Sequence, residues 1–323
     1  MIAYHAPQWL PGGHAQTIYP LLIKPQALSY RRERWETPDA DFIDLDWNES
    51  RANALEDLNT PLLILFHGLE GSSRSHYART LMSAAQAADW PGVVVHFRGC
   101  SGEANRLPRA YHSGDAQEID WILRRFRRNH PHRPLYVVGV SLGGNALLKW
   151  LGENEHAAAL LINAAATVSA PLDLTACGHH LGRGFNRVYT QYFLNSLKPS
   201  SSAKLRRFPG LFDEQRLRQA STLYEFDDAI TAPLHGFTGA DDYWRRASSK
   251  PWLPGIRLPT LILNAQNDPF LPHTALPRAD QVASSVTLDF PREGGHVGFV
   301  SGSIPGRLDW MPQRILQFFR NGH

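Results

Sequence analysis

Three residues far apart in the chain have the types and order needed to move a proton and attack a carbonyl: Ser141, Asp268 and His296. Ser141 lies in Gly139-Val-Ser141-Leu-Gly143, a G-x-S-x-G pattern. Alone the pattern is weak. Here it follows the apolar run Leu135 to Val138 and opens a helical stretch, Asn145 to Leu151. That strand–turn–helix setting is the one in which a serine is lifted above a sheet as a nucleophile. The turn must be sharp, and side chains at Gly139 and Gly143 would clash. A serine hydroxyl needs a neighbouring base, and imidazole titrates near the working pH. Of the 15 histidines, His296 in Glu293-Gly-Gly-His-Val-Gly298 lies after the last predicted strand, where the chain order serine, acid, histidine places the base. His67 and His112 precede the serine, and His273 is too close to the acid to leave room for a strand. Asp268 in Asn267-Asp-Pro269 ends the penultimate strand and is the expected orienting acid. Asp289, Asp241 and Asp242 rank below it. Backbone N–H groups of Leu142 and of Leu69, in Phe66-His-Gly-Leu-Glu-Gly71, are the expected oxyanion donors.

The elements that must position these residues are legible as apolar runs of strand length. Leu62 to Phe66, Val93 to Phe97, Leu135 to Val138, Ala159 to Ile162, Thr260 to Leu263 and Val286 to Phe290 predict strands. The first four are continuous, as in a parallel sheet covered on both faces. Asp41 to Trp47 alternates, which predicts an edge strand with one wet face. Ala116 to Arg128 carries Ile119, Ile122, Leu123 and Phe126 at helical spacing, with Asp115 and Glu118 forming a capping-box-like start. Tyr77 to Ala88 and Met311 to Phe319 are further flanking helices. This alternation implies a three-layer α/β fold. From Pro171 to Pro259 the alternation stops. That length must hold structure of its own, so the organisation expected is a core of residues 1–170 and 260–323 with an inserted, mainly helical cap at 171–259. Arg183 to Leu197 is its clearest helix, with Phe185, Val188, Tyr189, Tyr192 and Ser196 on one face.

Among 323 residues, 43% are apolar and 20% charged, an ordinary globular balance. Two cysteines, Cys100 and Cys177, exclude a disulfide framework and fit a reducing compartment. The start of the chain has no basic segment followed by an apolar run, and no run approaches a membrane span. A cytoplasmic protein is expected, with peripheral lipid contact the only membrane association left open. With 33 Lys and Arg against 30 Asp and Glu, nothing points to nucleic acid. The basic cluster Arg124, Arg125, Arg127, Arg128 and Arg133 is read as a solvated helix end. No Cys/His spacing resembles a zinc site, and the chemistry calls for no cofactor.

Taken together, His67-Gly-Leu-Glu-Gly-Ser-Ser73, Arg98-Gly-Cys-Ser-Gly-Glu103, Tyr111-His-Ser-Gly-Asp115 and Gly139-Val-Ser-Leu-Gly-Gly-Asn145 resemble the YheT-like branch of the α/β-hydrolases, the AB-hydrolase-four family. Trp9-Leu10, His14-Ala-Gln-Thr17, Thr37-Pro-Asp39, Thr231-Ala-Pro-Leu-His-Gly-Phe237 and Gly294-Gly-His-Val-Gly-Phe299 extend the likeness over nearly the whole chain. The resemblance implies an α/β-hydrolase fold and a carboxylic-ester hydrolase acting on acyl esters, short- to medium-chain or lipid-like, with its charge-relay positions on Ser141, Asp268 and His296. An N-terminal anchor found in membrane-bound relatives has no counterpart here. An acyltransferase or thioesterase would use the same triad. A binding protein that kept the fold without turnover is the alternative of another class. The Arg98 to Glu103 and Tyr111 to Asp115 loops are read as structural, with Ser113 and Asp115 capping the next helix. Acyl length, alcohol portion and oligomeric state are not in the sequence.

Overall fold

The computed structural model describes residues 3–23, 27–48 and 59–321. Eight strands form one sheet: β1 (Arg31–Glu36), β2 (Phe42–Asn48), β3 (Leu62–Phe66), β4 (Gly92–Val95), β5 (Leu135–Val140), β6 (Ala164–Val168), β7 (Thr260–Leu263) and β8 (Val286–Asp289). Their order is β1-β2-β4-β3-β5-β6-β7-β8. β2 runs antiparallel to both β1 and β4, and every other pairing is parallel. Ile64 of β3 lies between Val93 and Val137.

Alternation along β3 sorts the core into two layers. Leu62, Ile64 and Phe66 pack with the helices Ala116–Asn129 and Leu142–Leu161, whereas Leu63 and Leu65 pack with the helices His76–Ala87 and Trp310–Arg320. The chain leaves β3 towards β4 on one side and returns to β5 on the other. In open α/β sheets, ligands bind outside the carboxyl ends of strands at such a reversal.

Two strand expectations are corrected. Ala159 to Ile162 is not a strand: the helix begun at Leu142 runs to Leu161, and the strand is the next segment, Ala164–Val168. A four-residue apolar run has no period that separates a strand from a buried helix end. β2 is not an edge strand either. It is buried at every position, because β1 covers its outer side. The wet face predicted for Asp44 and Asp46 is filled by arginines of β1. Arg34 grips Asp44 at 2.8 and 2.9 Å, and Arg32 grips Asp46 at 2.7 and 2.9 Å. Two-pronged arginine pairing lets a carboxylate be buried in a sheet.

Motifs after β4 are structural in part. Arg98 is buried and bonds Glu118 at 2.6 Å and Asp39 at 2.9 Å, which locks the Arg98 loop to the Thr37-Pro-Asp39 turn. Asp115 caps its helix at the Glu118 N–H, 3.3 Å away. Ser113 does not cap. Its carbonyl and hydroxyl oxygens accept the Asn145 amide at 2.8 and 2.9 Å. Most of the basic cluster is absorbed: Arg133 is buried on the Thr60 carbonyl, Arg127 donates to three or more carbonyls, and Arg125 lies over Trp35.

Between β6 and β7 the described chain is helical, chiefly Leu174–Leu181, Arg187–Arg207, Glu214–Gln219 and Ala240–Ala247. The residues predicted to share one face of the second of these do not share one environment. Its buried side carries Tyr189, Thr190, Leu194 and Ser201, while Phe185, Val188 and Tyr192 are exposed. The helix also continues through Pro199 to Arg207. Among the described residues no helix is long and apolar enough to cross a membrane.

Candidate active site

Ser141 sits between the end of β5 and the helix Leu142–Leu161 with φ 51° and ψ −120°, a conformation that costs energy for any residue with a side chain. Its N–H donates to the Val168 carbonyl at 2.8 Å, and its carbonyl accepts from Gly144 and Asn145 at 2.9 and 3.1 Å. The flanking glycines are needed for space. A Cβ at Gly139 would stand 2.6 Å from the Gly143 carbonyl oxygen, and one at Gly143 would stand 2.5 Å from that of His67. The second clash is with the loop after β3, so Gly143 sets how near that loop comes to the serine. Asn145 then fixes the helix: besides Ser113, it donates to Ala247 and accepts from Ser249 N–H at 2.9 Å.

His296 and Asp268, 28 residues apart in the chain, meet at the serine. The imidazole Nδ1 lies 2.9 and 3.1 Å from the Asp268 carboxylate oxygens, and Nε2 lies 3.0 Å from Ser141 Oγ. Donation from Nδ1–H to the carboxylate leaves Nε2 to accept the serine proton. Asp268 is almost wholly buried and accepts a further bond from Phe270 N–H at 2.8 Å. The Phe270 ring stacks on the imidazole, 3.8 Å between centroids and 14° between planes. The lower-ranked acids lie elsewhere: Asp289 pairs with Arg314, Asp242 with Arg245 and Arg246, and Asp241 with the Tyr224 hydroxyl.

Leu69 and Leu142 both face the cavity that contains Ser141 and His296. Leu142 opens its helix, where N–H groups are left over from the helical ladder. The Leu69 loop is clamped on either side of it. Gly68 N–H donates to the Tyr77 hydroxyl and Glu70 N–H to that of Tyr111, each at 2.9 Å. Below it, His67 is fully buried. Phe97 N–H donates to Nε2 at 3.1 Å, so Nδ1 carries the proton and donates to the Gly68 carbonyl at 2.7 Å. Burial lowers His67 to a pKa of about 3, against a smaller raising effect of the Gly68 carbonyl, and the ring stays a neutral strut.

Sequence reasoning missed what holds the histidine. Gln16 and Thr17 are buried on the helix Gly13–Ile18. Thr17 Oγ1 accepts His296 N–H at 2.8 Å, and Gln16 Oε1 accepts Gly294 N–H at 2.8 Å and the Asn267 amide at 3.0 Å. The Asp268 loop and the His296 loop are therefore tied through one side chain. Gly298 is pressed against the Gln16 carbonyl, and a Cβ at Gly295 would stand 2.8 Å from the Gly13 carbonyl oxygen. The signal was visible in His14-Ala-Gln-Thr17, a motif with no role attached.

The cavity has a volume of about 430 Å³, within the range of small-molecule sites. Leu174, Leu181, Phe193, Leu197, Phe226 and Ile230 give it an apolar wall. The Arg98 and Tyr111 loops also line it, so their structural reading was incomplete. Burial pushes several of its titratable side chains towards their neutral forms: His112 falls to about 4, His235 to about 3, Lys204 to about 8, and Asp227 rises to about 6.

The sequence profile of the alpha/beta hydrolase fold family matches residues 61–303. YheT of Escherichia coli K12 is 43% identical over 94% of this chain and 88% of its own length. Phospholipase ABHD3 of Homo sapiens is 30% identical over 98% of this chain and 78% of its own. Among solved structures, ferulic acid-bound Est1E of Butyrivibrio proteoclasticus aligns with a TM-score of 0.59 at 13% identity, over 90% of this chain and 98% of that one. Sequence profile, relatives matched over more than three quarters of their length and sheet order agree, and the chain belongs to the α/β-hydrolase fold family, in its YheT-like branch.

Proposed function

We propose that this protein is a serine hydrolase that cleaves carboxylic esters through an acyl-enzyme on Ser141. The observation that carries the reading is the relay itself, with His296 Nε2 3.0 Å from Ser141 Oγ and Nδ1 2.9 Å from Asp268. In the first step Ser141 Oγ attacks the ester carbonyl while His296 takes its proton. Asp268 stabilises the imidazolium without becoming protonated. The Leu142 and Leu69 N–H groups receive the oxyanion. His296 then protonates the departing alkoxide, and the acyl group stays on Ser141. Water, deprotonated by His296, releases the acid and restores the serine.

The apolar wall favours an acyl chain over a charged or sugar-like group. Relatives named phospholipase ABHD3 and, in Saccharomyces cerevisiae, monoacylglycerol lipase support an acyl ester as the substrate class. We read residues 171–259 as a cap on a core of 1–170 and 260–323, with the cap supplying most of that wall. A fluorophosphonate probe should label the protein, with the adduct on the Ser141 peptide. p-Nitrophenyl esters from acetate to palmitate should then be hydrolysed with a defined length optimum. Labelling at another residue, or turnover that survives loss of labelling, would overturn the assignment.

A further inference from the structure

Among the described residues nine large apolar side chains are exposed, and seven of them lie on three segments that touch one another. Ile18, Leu21 and Leu22 lie at and just beyond the end of the helix Gly13–Ile18. Phe185, Val188 and Tyr192 form the outer stripe at the start of the helix Arg187–Arg207. Ile304 is the seventh. The other two, Leu160 and Trp252, lie outside these segments. Contacts knit the pieces together. The Phe185 ring packs 4.7 Å from that of His14, one helical turn before Ile18. The Tyr19 hydroxyl donates to the Pro305 carbonyl, next to Ile304, at 3.1 Å. Single exposed leucines need no explanation, but a gathered set marks an interaction surface.

The segments that carry the set contain cations and no carboxylate. No Asp or Glu occurs before Glu33, between Asp173 and Asp213, or between Glu293 and Asp309. These are the segments that build the patch. Arg183 and Arg187 stand exposed beside Phe185 and Val188. Apolar tips flanked by Arg183 and Arg187, with no carboxylate in their own segments, match an anionic bilayer surface: the tips enter the headgroup boundary and the cations meet lipid phosphates. The patch also adjoins the relay. His14 Nδ1 lies 3.0 Å from the Tyr189 hydroxyl, Tyr189 packs 4.8 Å from Phe270, and Phe270 covers His296.

We propose that Ile18, Leu21, Leu22, Phe185, Val188 and Tyr192, with Arg183 and Arg187, form a docking surface for an anionic phospholipid bilayer. It orients the protein with its base-bearing side towards the lipid. The proposal does not depend on the catalytic reading, since docking needs neither Ser141 nor turnover.

The test is sedimentation of the full-length protein with vesicles of phosphatidylglycerol in phosphatidylcholine, and with phosphatidylcholine alone. Binding should require the anionic lipid and should weaken at high salt, as screening demands. A Leu21→Asp, Leu22→Asp, Val188→Asp triple variant should lose at least about tenfold in vesicle binding. The Val188→Asp change puts its carboxylate in a first helical turn, where an acid is well placed, so the melting temperature should hold. Hydrolysis of p-nitrophenyl acetate without vesicles should also hold. Arg183→Glu with Arg187→Glu should weaken binding by a similar factor, and Ser141→Ala should bind as the wild type does. Wild-type protein left in the supernatant would overturn the proposal, as would a triple variant that binds undiminished. Concentration-dependent dimers abolished by the triple substitution, without vesicle binding, would assign the surface to a second copy and equally overturn it.

Discussion

Asp268 holds His296 and Asp46 holds His96 at nearly the same distance, 2.9 and 2.8 Å, and both carboxylates are buried. The pairs differ in what remains of their hydrogen-bonding capacity. Asp46 is gripped by Arg32 at 2.7 and 2.9 Å and by the Ser73 hydroxyl at 2.5 Å, and the second nitrogen of His96 faces the Cys100 carbonyl at 3.3 Å. That cluster is closed. Among the described residues Asp268 bonds only the imidazole and one N–H, and the second nitrogen of His296 faces a hydroxyl at the wall of a cavity. A carboxylate–imidazole pair is thus no mark of catalysis by itself. What distinguishes the two is an open side with something to deprotonate.

The largest effect expected from this contrast is at Ser141. Ser141→Ala should cut ester turnover by about four to six orders of magnitude with the fold intact. More than a few per cent of residual activity would remove Ser141 from the nucleophile role. Asp268→Asn should lower kcat by about four orders of magnitude, because the amide favours the wrong tautomer. Asp46→Asn should leave kcat within a small factor and instead lower stability. The amide keeps the shape of the carboxylate but not the charge that Arg32 grips. A variant at Asp46 that lost turnover at full stability would erase the distinction drawn here.

The Asp46 cluster also carries a pH signature. Burial raises the Asp46 pKa, but bonds from His96, Arg32 and Ser73 outweigh it and hold the carboxyl below its ordinary value. A carboxyl depressed in the folded state contributes stability that is fully present above its unfolded pKa, about 3.9. That stability is lost as pH falls below it. Denaturant midpoints of the wild type should therefore drop between about pH 4 and more acid values, and Asp46→Asn should show a shallower acid limb from a lower plateau. Parallel limbs would mean that Asp46 does not control acid stability.

How well the sequence revealed each region follows from how local its determinants are. The serine turn was legible because strand, glycines and helix are contiguous, and the meeting of Asp268 and His296 beside it because their loops follow successive strands of the sheet. β1 went unseen because Arg31-Arg-Glu-Arg-Trp-Glu36 carries almost no apolar signal. Its arginines make sense only once Asp44 and Asp46 are placed opposite. The outer stripe of Phe185, Val188 and Tyr192 misled for the converse reason: helical spacing reveals a stripe but not which side is covered. The support of His296 by Gln16 and Thr17 spans most of the chain, and the His14-Ala-Gln-Thr17 motif marks the segment without giving its partner. Gln16→Ala should lower kcat by roughly one to two orders of magnitude, as for a misplacement near 1 Å. KM for a short ester should change little, whereas a purely structural role would lower the melting temperature and spare kcat in the protein that remains folded.

The smallest effect expected separates the two sides of the helix Arg187–Arg207. Leu197 lines the cavity with Ser141, whereas Tyr192 is 67% exposed on the outer stripe. A contact in an apolar pocket discriminates by only ~1–3 kcal/mol per methylene gained or lost. Leu197→Ala should therefore shift the preferred acyl length upward by a few carbons and change the ratio of long to short ester kcat/KM by about tenfold or less. Tyr192→Ala should leave that ratio and the melting temperature unchanged when soluble p-nitrophenyl esters are assayed without lipid. Both ratios come from one ester series, so the two variants act as each other's control. A length shift at Tyr192 with none at Leu197 would move the acyl wall to the outer stripe and make the inner cavity a packing void.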